Sequence, residues 1–458
     1  MKLLYSLAFI GAFTLLTSCD DFLDTVPKGQ TIPTTVADYG NIMKDISLSG
    51  SYDALPYFCS DDVLVPDEQV NLSGPSHKAY FWMENFYLQE EADPNWNDTY
   101  SKIYTVNVVI NNIMEATEGS QEDKNRIMAE AKIFRAYYFW YLQSLYAPAY
   151  DAQTATTDLS VPLPTEPNLE AKLSRSTVGQ VTAQILSDLE DIAESLPIKG
   201  SNNYKPTRAA AYAMRARMFF YMRQYDEAAA EAEKALALNS QLDDMREWSF
   251  TDDIPSETVN GKPQDISSLQ KIWYHAVNGN GALRMVVIDN ELLSLYKQNE
   301  KDLRFKFWFA TRNADGSFYD ENTYCYLQQT PNHNIGVPEM MLIKAEAMAR
   351  KNDTKALDIL NELRKYRFKD EDYTALTTAD GESLLDIVLA ERRRELALSG
   401  LRWFDMKRLG KEGIYTQTLT RTTPNGETHT LSPGSNRYLF PIPPEVIAKN
   451  SNIVQNPR

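Results

Sequence analysis

The sequence predicts a mostly α-helical protein in which a helical-repeat scaffold carries an inserted lobe that is rich in loops and partly β. Three observations support this fold class. Residues 207–239 have the pattern of two short antiparallel helices whose facing sides are rich in alanine. The apolar spacing of the first of these helices occurs at two other places in the chain. Between residues 241 and 337, helical periodicity gives way to short runs that are typical of strands.

The helix pair at residues 207–239 predicts a repeat unit. Its first helix places small or apolar residues at i, i+4, i+7 and i+11, which share one face of a helix. The second helix follows a tight turn at 223–225, with Asp226 as its predicted N-cap. The unit resembles one tetratricopeptide repeat, which needs neighbouring repeats to bury its apolar face. The spacing occurs in three sets, which are Ala129, Ile133, Ala136 and Trp140; Ala209, Ala213, Ala216 and Phe220; and Pro338, Leu342, Ala345 and Ala349.

These three sets are unevenly spaced, so they do not form a tandem array with a short fixed period. Long insertions must separate the repeats, and such insertions are natural places for a binding surface. A generic helical bundle is the alternative, because any amphipathic helix can give one match. The three matches and the alanine-rich pairing favour the repeat.

The composition bounds the possible partners. The chain has 458 residues, of which 43% are hydrophobic and 24% are charged, as in a folded globular protein. Its formal net charge is -17, so it lacks the positive surplus that nucleic-acid binding requires. Aromatic residues make up 11% of the chain and include 26 Tyr and 7 Trp, which suits stacking on sugars or other ring-bearing ligands.

The amino terminus has the features of a secretory signal peptide. Residues 1–18 carry one positive charge at Lys2 and then an apolar run that is shorter than the ~20 residues of a membrane span. The small residues just before Cys19 resemble a bacterial lipobox, in which the cysteine sulfur receives a diacylglycerol and the chain is cut before it. Residues 19–34 would then be a lipidated tether. The alternative is an ordinary signal peptide with an incidental cysteine.

Several segments resemble the SusD/RagB family of outer-membrane nutrient-binding lipoproteins. After Cys19 the chain has an acidic pair, then Phe-Leu-Asp, a proline, Pro-Thr-Thr and Asp-Tyr, in the order of that family's opening. The charged Glu-Arg-Arg helix and the following Gly-Leu-Arg-Trp-Phe-Asp resemble its late signature. The matching segments are 19–46, 205–228, 384–410, 438–443 and 452–457.

The resemblance implies a tetratricopeptide-like scaffold that binds an oligosaccharide, or less readily a peptide, without catalysis. It implies a SusC-like TonB-dependent outer-membrane transporter as partner, with the lipoprotein closing over the barrel. It also implies a lipid-anchored location at the outer membrane, facing the cell exterior. The mature chain then divides into an N-terminal SusD-like helical region at 35–240, the mixed lobe at 241–337 and a C-terminal SusD/RagB region at 338–458.

Local signals predict individual helices. Thr35 is the predicted cap of a helix at 36–46, and Thr177 with Gln180 forms a capping-box pair for a helix that ends near 196. Further helices are predicted at 96–116, at 124–145, where a ring-rich face is expected to be core, and as a pair at 338–365.

Some polar residues on these helices have competing interpretations. Asn107, Asn111 and Asn112 either bind ligand hydroxyls or, as we favour, tie neighbouring backbone. The charged residues at 384–410 are expected to dock the last helices through ion pairs, with Arg402 able to stack on a ring.

The sequence contains no persuasive catalytic or metal-binding motif. The four histidines are scattered, and the phosphate-loop, dinucleotide and Gly-x-Ser-x-Gly motifs are lacking. The acidic pairs at 61–62 and 67–68 suit a solvated loop better than a calcium site, and 313–316 suits a hairpin turn. We therefore predict no cofactor and no metal. Whether Cys59 and Cys325 form a disulfide depends on the fold.

Two functions remain in view. The first is a non-catalytic surface protein that binds a glycan and delivers it to a transporter. The second is a lipid-anchored glycoside hydrolase, because the 63 acidic residues offer many candidates for a catalytic carboxylate pair. Ligand-contacting rings are predicted in or beside stretches rich in helix breakers, although each could instead be core. The predicted ligand-binding residues are Trp82, Asn95, Trp96, Asn97, Trp273, Tyr274 and Trp308.

Overall fold

The computed structural model describes residues 32–51, 54–256, 258–277, 286–297, 301–311, 324–327, 334–378, 382–397 and 399–458. The predicted signal peptide, Cys19 and most of the predicted tether lie outside these residues, as does the turn predicted at 313–316.

The described chain is mostly helical, as predicted. Its α-helices are α1 Val36–Ile42, α2 Leu55–Cys59, α3 Pro75–Tyr80, α4 Pro94–Asn112, α5 Gln121–Tyr146, α6 Val178–Asp188, α7 Arg208–Tyr221, α8 Tyr225–Leu238, α9 Asn290–Lys297, α10 Leu303–Trp308, α11 Val337–Ala349, α12 Lys355–Arg364, α13 Leu384–Glu395, α14 Leu401–Lys411 and α15 Pro444–Lys449. Its strands are β1 Gly50–Ser51, β2 Val63–Leu64, β3 Lys271–Trp273, β4 Ala276–Val277, β5 Val287–Ile288, β6 Phe309–Ala310, β7 Cys325–Tyr326, β8 Ile335–Gly336, β9 Leu419–Thr422 and β10 Thr428–Leu431.

The scaffold consists of long helices that pack side by side. α4 packs on α5 and α5 on α6; farther along the chain, α7 packs on α8, α8 on α11, and α11 on both α12 and α13. All members of the three repeat sets are buried. The prediction that their spacing marks one buried face of each helix is therefore confirmed, and the small side chains let neighbouring helices approach closely.

Most predicted helix starts are confirmed. The Thr35 side chain accepts from the backbone N–H of Asp38 in a complete capping box, and Thr177 and Gln180 form a second box. Asp226 was wrong as an N-cap, because α8 already begins at Tyr225 and the aspartate lies in its first turn. In the first turn its negative charge still interacts favourably with the positive end of the helix dipole. Three helices end earlier than predicted: α1 at Ile42, α4 at Asn112 and α6 at Asp188.

The asparagine row on α4 ties neighbouring backbone, as favoured. Asn107 donates to the carbonyl of Pro164 at 2.9 Å, and Asn111 donates to that of Thr165 at 2.9 Å. These bonds fasten the long proline-bearing loop before α6 to the scaffold. Asn112 instead donates to Val108 of its own helix at 2.8 Å.

The lobe is built from two-residue and three-residue strands. One sheet has the order β2-β5-β7-β6, while β3 pairs with β8 and β1 with β4. The predicted strand runs at 271–275 and 324–327 contain β3 and β7. Because β1 and β2 belong to the amino-terminal part of the chain, that part also contributes to the lobe. Cys59 and Cys325 are buried thiols and are not joined in a disulfide.

Buried ion pairs join α13 to the lobe and α14 to the rest of the scaffold, as predicted. Glu391 accepts from Arg304 at 2.7 Å and from Arg394 at 2.7 Å. Arg408 of α14 bonds to Glu346 of α11 at 2.6 Å. These arginines satisfy carboxylates that are too deeply buried to be solvated.

The expectation that residues 61–62 form a solvated loop is wrong. Both carboxylates are buried: Asp61 accepts from Arg402 at 2.7 Å, and Asp62 from Arg393 at 2.8 Å. Burial alone would raise the pKa of Asp61, but the guanidinium groups of Arg402 and Arg393 hold it well below its ordinary value. Arg402 also lies over the Tyr415 ring, 5.4 Å from its centroid, which confirms its predicted stacking.

Among the described residues, the helices are all too short or too polar to cross a bilayer.

Candidate ligand-binding cleft

A cleft of about 140 Å³ opens where the lobe meets the scaffold. We call it the lobe cleft. The lobe contributes its rings and most of its polar groups, while the scaffold contributes the start of α11 and the junction of α13 with α14. Its main ring and polar lining residues are Trp248, Trp308, Tyr326, Asp243, Lys262, Asp265, Gln270, Lys271, Asn334, Glu339, Glu395 and Ser399.

Three aromatic residues line the lobe cleft from different segments. The Trp248 ring packs edge-on against Phe307, with centroids 5.7 Å apart. Trp308 is the last residue of α10 and is half-buried between two apolar clusters of the lobe. Tyr326 is held opposite Phe309 in the β6–β7 ladder. Rings that are fixed in this way can stack on the apolar face of a sugar at little cost in side-chain entropy.

Two deeper carboxylates are held from behind by buried arginines. Glu339 accepts from Arg217 at 2.9 and 2.6 Å. Glu395 accepts from Arg367 at 2.8 Å and from Arg304 at 2.8 Å. Each carboxylate is therefore paired within the protein, and its geometry is fixed before any ligand arrives.

The rim of the cleft carries a more accessible charged cluster. Asp265 forms an ion pair with Lys271 and accepts from the Tyr274 hydroxyl at 3.3 Å. Burial acts to raise the pKa of Asp265, but the ammonium groups of Lys271 and Lys262 outweigh it, so the pKa lies below its usual value. Burial lowers the pKa of both lysines. Ionised Asp265 is thus an acceptor for ligand hydroxyl groups at neutral pH.

The predicted ligand-binding residues do not form one site. Trp308 lines the cleft, and Tyr274 lies beside it through its bond to Asp265. Asn97 is exposed on α4, and Asn95 is buried on the same helix. Their roles in ligand binding stay predictions.

The other three predicted tryptophans are buried in the core. Trp82 donates from Nε1 to the Cys59 carbonyl at 3.0 Å, and Trp273 donates to the Tyr204 carbonyl at 3.2 Å. Trp96 packs against Tyr146, with ring centroids 4.8 Å apart. Each ring has apolar neighbours, and in two cases the indole N–H donates to a carbonyl. A buried tryptophan usually has such a hydrogen-bond partner.

Sequence reasoning missed two of the three cleft rings. Trp248 follows a short helical segment that Asp244 caps, and that cap is a local signal for an ordered turn. Tyr326 falls within a predicted strand run. Because successive side chains of a strand alternate between its two faces, the tyrosines at 324 and 326 are expected on the same face. Which face meets the scaffold depends on long-range packing.

Two protein-family models match most of the chain. Residues 21–220 match a SusD-like family model described as starch-binding and associating with the outer membrane. Residues 329–458 match the SusD family model, SusD/RagB. The fold and these two matches define a helical-repeat protein of a starch-binding class that associates with the outer membrane. The chain belongs to the SusD/RagB family.

Curated relatives and solved structures resemble the chain over most of its length. A SusD-like protein of Formosa agariphila is 24% identical, and the alignment covers 79% of each chain. Another from that organism is 22% identical over 89% of this chain and 91% of its own. A SusD superfamily structure from Bacteroides thetaiotaomicron has a TM-score of 0.72 at 22% identity, covering 93% of this chain and 100% of its own.

A further solved structure supports the same fold. A SusD-like carbohydrate binding protein from Bacteroides vulgatus has a TM-score of 0.67 at 21% identity, covering 92% of this chain and 97% of its own. Structural likeness at this level of identity concerns the fold. The predicted tetratricopeptide-like scaffold with an inserted lobe is confirmed.

Proposed function

We propose that the protein captures a nutrient oligosaccharide in the lobe cleft at the cell surface and passes it, uncleaved, to a SusC-like TonB-dependent transporter. The observation that carries this proposal is the half-buried Trp308 ring in a cleft that also holds Trp248, Tyr326 and the ionised Asp265. Membership of a family described as starch-binding supports a glycan as the ligand.

Binding in this cleft combines two kinds of contact. The rings of Trp308 and Tyr326 stack on apolar sugar faces, while the Asp265 carboxylate accepts from sugar hydroxyls and the Gln270 amide group donates to them. Each contact is modest, so affinity depends on how well the residues are held in place beforehand. The arginine-bound carboxylates and the paired strands supply that order.

Release without cleavage is supported by the state of the carboxyl groups. A glycoside hydrolase needs one carboxylic acid that stays protonated near neutral pH. The pKa of Asp265 is shifted in the opposite direction, since the effect of Lys271 and Lys262 outweighs burial. Glu339 and Glu395 are each bonded to a buried arginine, so neither carboxylate is free to act on a ligand.

Calorimetric titration of the soluble protein, beginning after Cys19, against a panel of glycans tests the proposal. We expect one glycan class to bind, and Trp308→Ala to weaken binding at least about tenfold, which is about 1.4 kcal/mol. Phe219→Ala, which removes a half-buried ring on α7 outside the cleft, should leave affinity unchanged. Equal losses in both variants would place the ligand elsewhere.

Product analysis of the same mixtures separates binding from hydrolysis. We expect the bound oligosaccharide to be recovered at its original length after prolonged incubation. Shorter products that disappear in Asp265→Asn would instead support the glycoside hydrolase.

Lipid attachment and transporter association form the cellular part of the proposal. Cells fed a labelled palmitate should incorporate it into the wild-type protein and into Cys59→Ala, but not into Cys19→Ala. The wild-type protein should co-purify with a SusC-like transporter from detergent-solubilised outer membranes. Label in Cys19→Ala would contradict anchoring at this cysteine, and transporter-free preparations would contradict the hand-over.

A further inference from the structure

A buried arginine behind the lobe cleft connects three of its lining residues. Arg367 lies in the turn after α12 and is 0% exposed. Its guanidinium donates to the Asp243 carbonyl at 2.9 Å, to Oε1 of Gln270 at 3.0 Å and to Glu395 at 2.8 Å. These three residues come from separate parts of the chain, so one planar side chain fixes their mutual positions.

The backbone of the same turn holds the segments that carry two cleft rings. The N–H of Met245 donates to the Tyr366 carbonyl at 3.1 Å, and Met245 begins the short helical turn that leads to Trp248. The N–H of Leu303 donates to the Arg367 carbonyl at 2.9 Å, and Leu303 begins α10, which ends at Trp308. The two segments that lead to these tryptophans are therefore hydrogen-bonded to adjacent carbonyls of one turn.

A neighbouring arginine provides a natural comparison. Arg364 is the last residue of α12 and is also buried. It bonds to Glu391 at 3.2 Å and lies over the Phe368 ring, 4.5 Å from its centroid. Glu391 and Phe368 lie outside the lining of the lobe cleft. The two residues thus share burial and charge, but only the bonds of Arg367 reach residues that line the cleft.

We infer that Arg367 is a positioning residue for the ligand cleft: it sets the spacing of the polar lining and the two tryptophans without contacting the ligand. This inference rests on the proposed function, because it assigns the lobe cleft as the ligand site. Lysine at this position keeps the charge but cannot donate along three directions in one plane. Its ammonium would hold one partner and release the others.

Paired variants test the inference. Arg367→Lys and Arg364→Lys each break a buried arginine contact, so we expect similar losses of thermal stability. Arg367→Lys should weaken binding of the glycan found for the wild type at least about tenfold, whereas Arg364→Lys should bind within about twofold of the wild type. Arg367→Gln, which keeps an amide donor, serves if the lysine variant does not fold.

Hydrogen exchange of the ligand-free proteins gives a second readout. Residues 243–248 and 265–271 should exchange faster in Arg367→Lys than in Arg364→Lys, because Asp243 and Gln270, which lie in these segments, lose a direct bond to the guanidinium. Unchanged affinity in Arg367→Lys, or an equal loss in Arg364→Lys, would overturn the inference. If the wild type binds no glycan, the proposed function fails, and the exchange comparison alone decides whether Arg367 orders the cleft.

Discussion

The scaffold and the lobe use the same kinds of residue in opposite ways. In the scaffold, charged side chains such as Glu346 and Arg408 are buried and bonded to each other. At the rim of the lobe cleft, Asp265 keeps an accessible carboxylate in the same cleft as half-buried Trp308. Residue type alone therefore does not decide whether a side chain belongs to the core or to a binding site. What decides this is whether a neighbouring helix or strand packs over the side chain.

The aromatic residues show this contrast clearly. On α5, Trp140 and Tyr141 belong to a buried ring-rich face, and both pack against Phe404 of α14. In the lobe, strands of two residues leave Trp308 without a full set of neighbours, so part of the ring stays accessible. Rings that long helices bury therefore contribute to stability, whereas a ring that short strands cover only in part can contact a ligand.

The variant with the largest expected effect disrupts the buried charge network around Glu391. Glu391→Gln removes the negative charge that Arg304, Arg364 and Arg394 share. We expect a loss of about 3–5 kcal/mol in the free energy of unfolding, because buried guanidinium groups lose their counter-charge. Urea titration measures it. Glu362→Gln, which breaks an exposed pair with Lys365 on α12, should cost less than about 1 kcal/mol.

The same residue predicts a pH dependence. Burial alone would raise the pKa of Glu391, but Arg304, Arg394 and Arg364 hold it well below its ordinary value of 4.5. A carboxyl group with a depressed pKa contributes its full stability above the unfolded-state value and loses it as the pH falls. The stability gap between the wild type and Glu391→Gln should therefore be constant from neutral pH to about pH 5 and shrink below about pH 4. A gap that widened on acidification would contradict the network.

A smaller effect tests the alanine-rich contact between α7 and α8. Ala213 is completely buried on α7, whereas Ala230 of α8 is exposed. Ala213→Leu should cost about 1–3 kcal/mol of unfolding free energy, because a larger side chain forces the helices apart. Ala230→Leu should change stability by less than about 0.5 kcal/mol. Equal effects would mean that α7 and α8 do not depend on close approach.

Much of the scaffold was predictable because its signals are local. The capping box at Thr35 and the repeated apolar spacing depend on residues within one or two turns. The error at Asp226 concerns a single position at a helix start. The misassigned pair at 61–62 is different, because its arginine partners come from residues 393 and 402, far along the chain. Sequence separation of that size hides a contact from any local pattern.

The cleft was less predictable for the same reason. Its ring and polar residues come from several segments between 243 and 399, and short strands and turns determine which side chains meet. Trp308 was among the predicted ligand residues, while Trp248 and Tyr326 were not. Trp273 has a similar sequence neighbourhood but is 0% exposed, since α7 lies against its strand. Local patterns could identify candidate rings but could not rank them.

The smallest predicted effect concerns a loop that could have been a binding insertion and is instead fastened to the scaffold. Asn111 donates across to the Thr165 carbonyl, whereas Asn112 donates within its own helix. Asn111→Ala should lower the free energy of unfolding by about 0.5–1.5 kcal/mol and speed hydrogen exchange at 159–175. Asn112→Ala should leave exchange in that loop unchanged, because its bond does not reach the loop. If both variants loosened the loop alike, its order would come from α4 as a whole and not from the individual bond of Asn111.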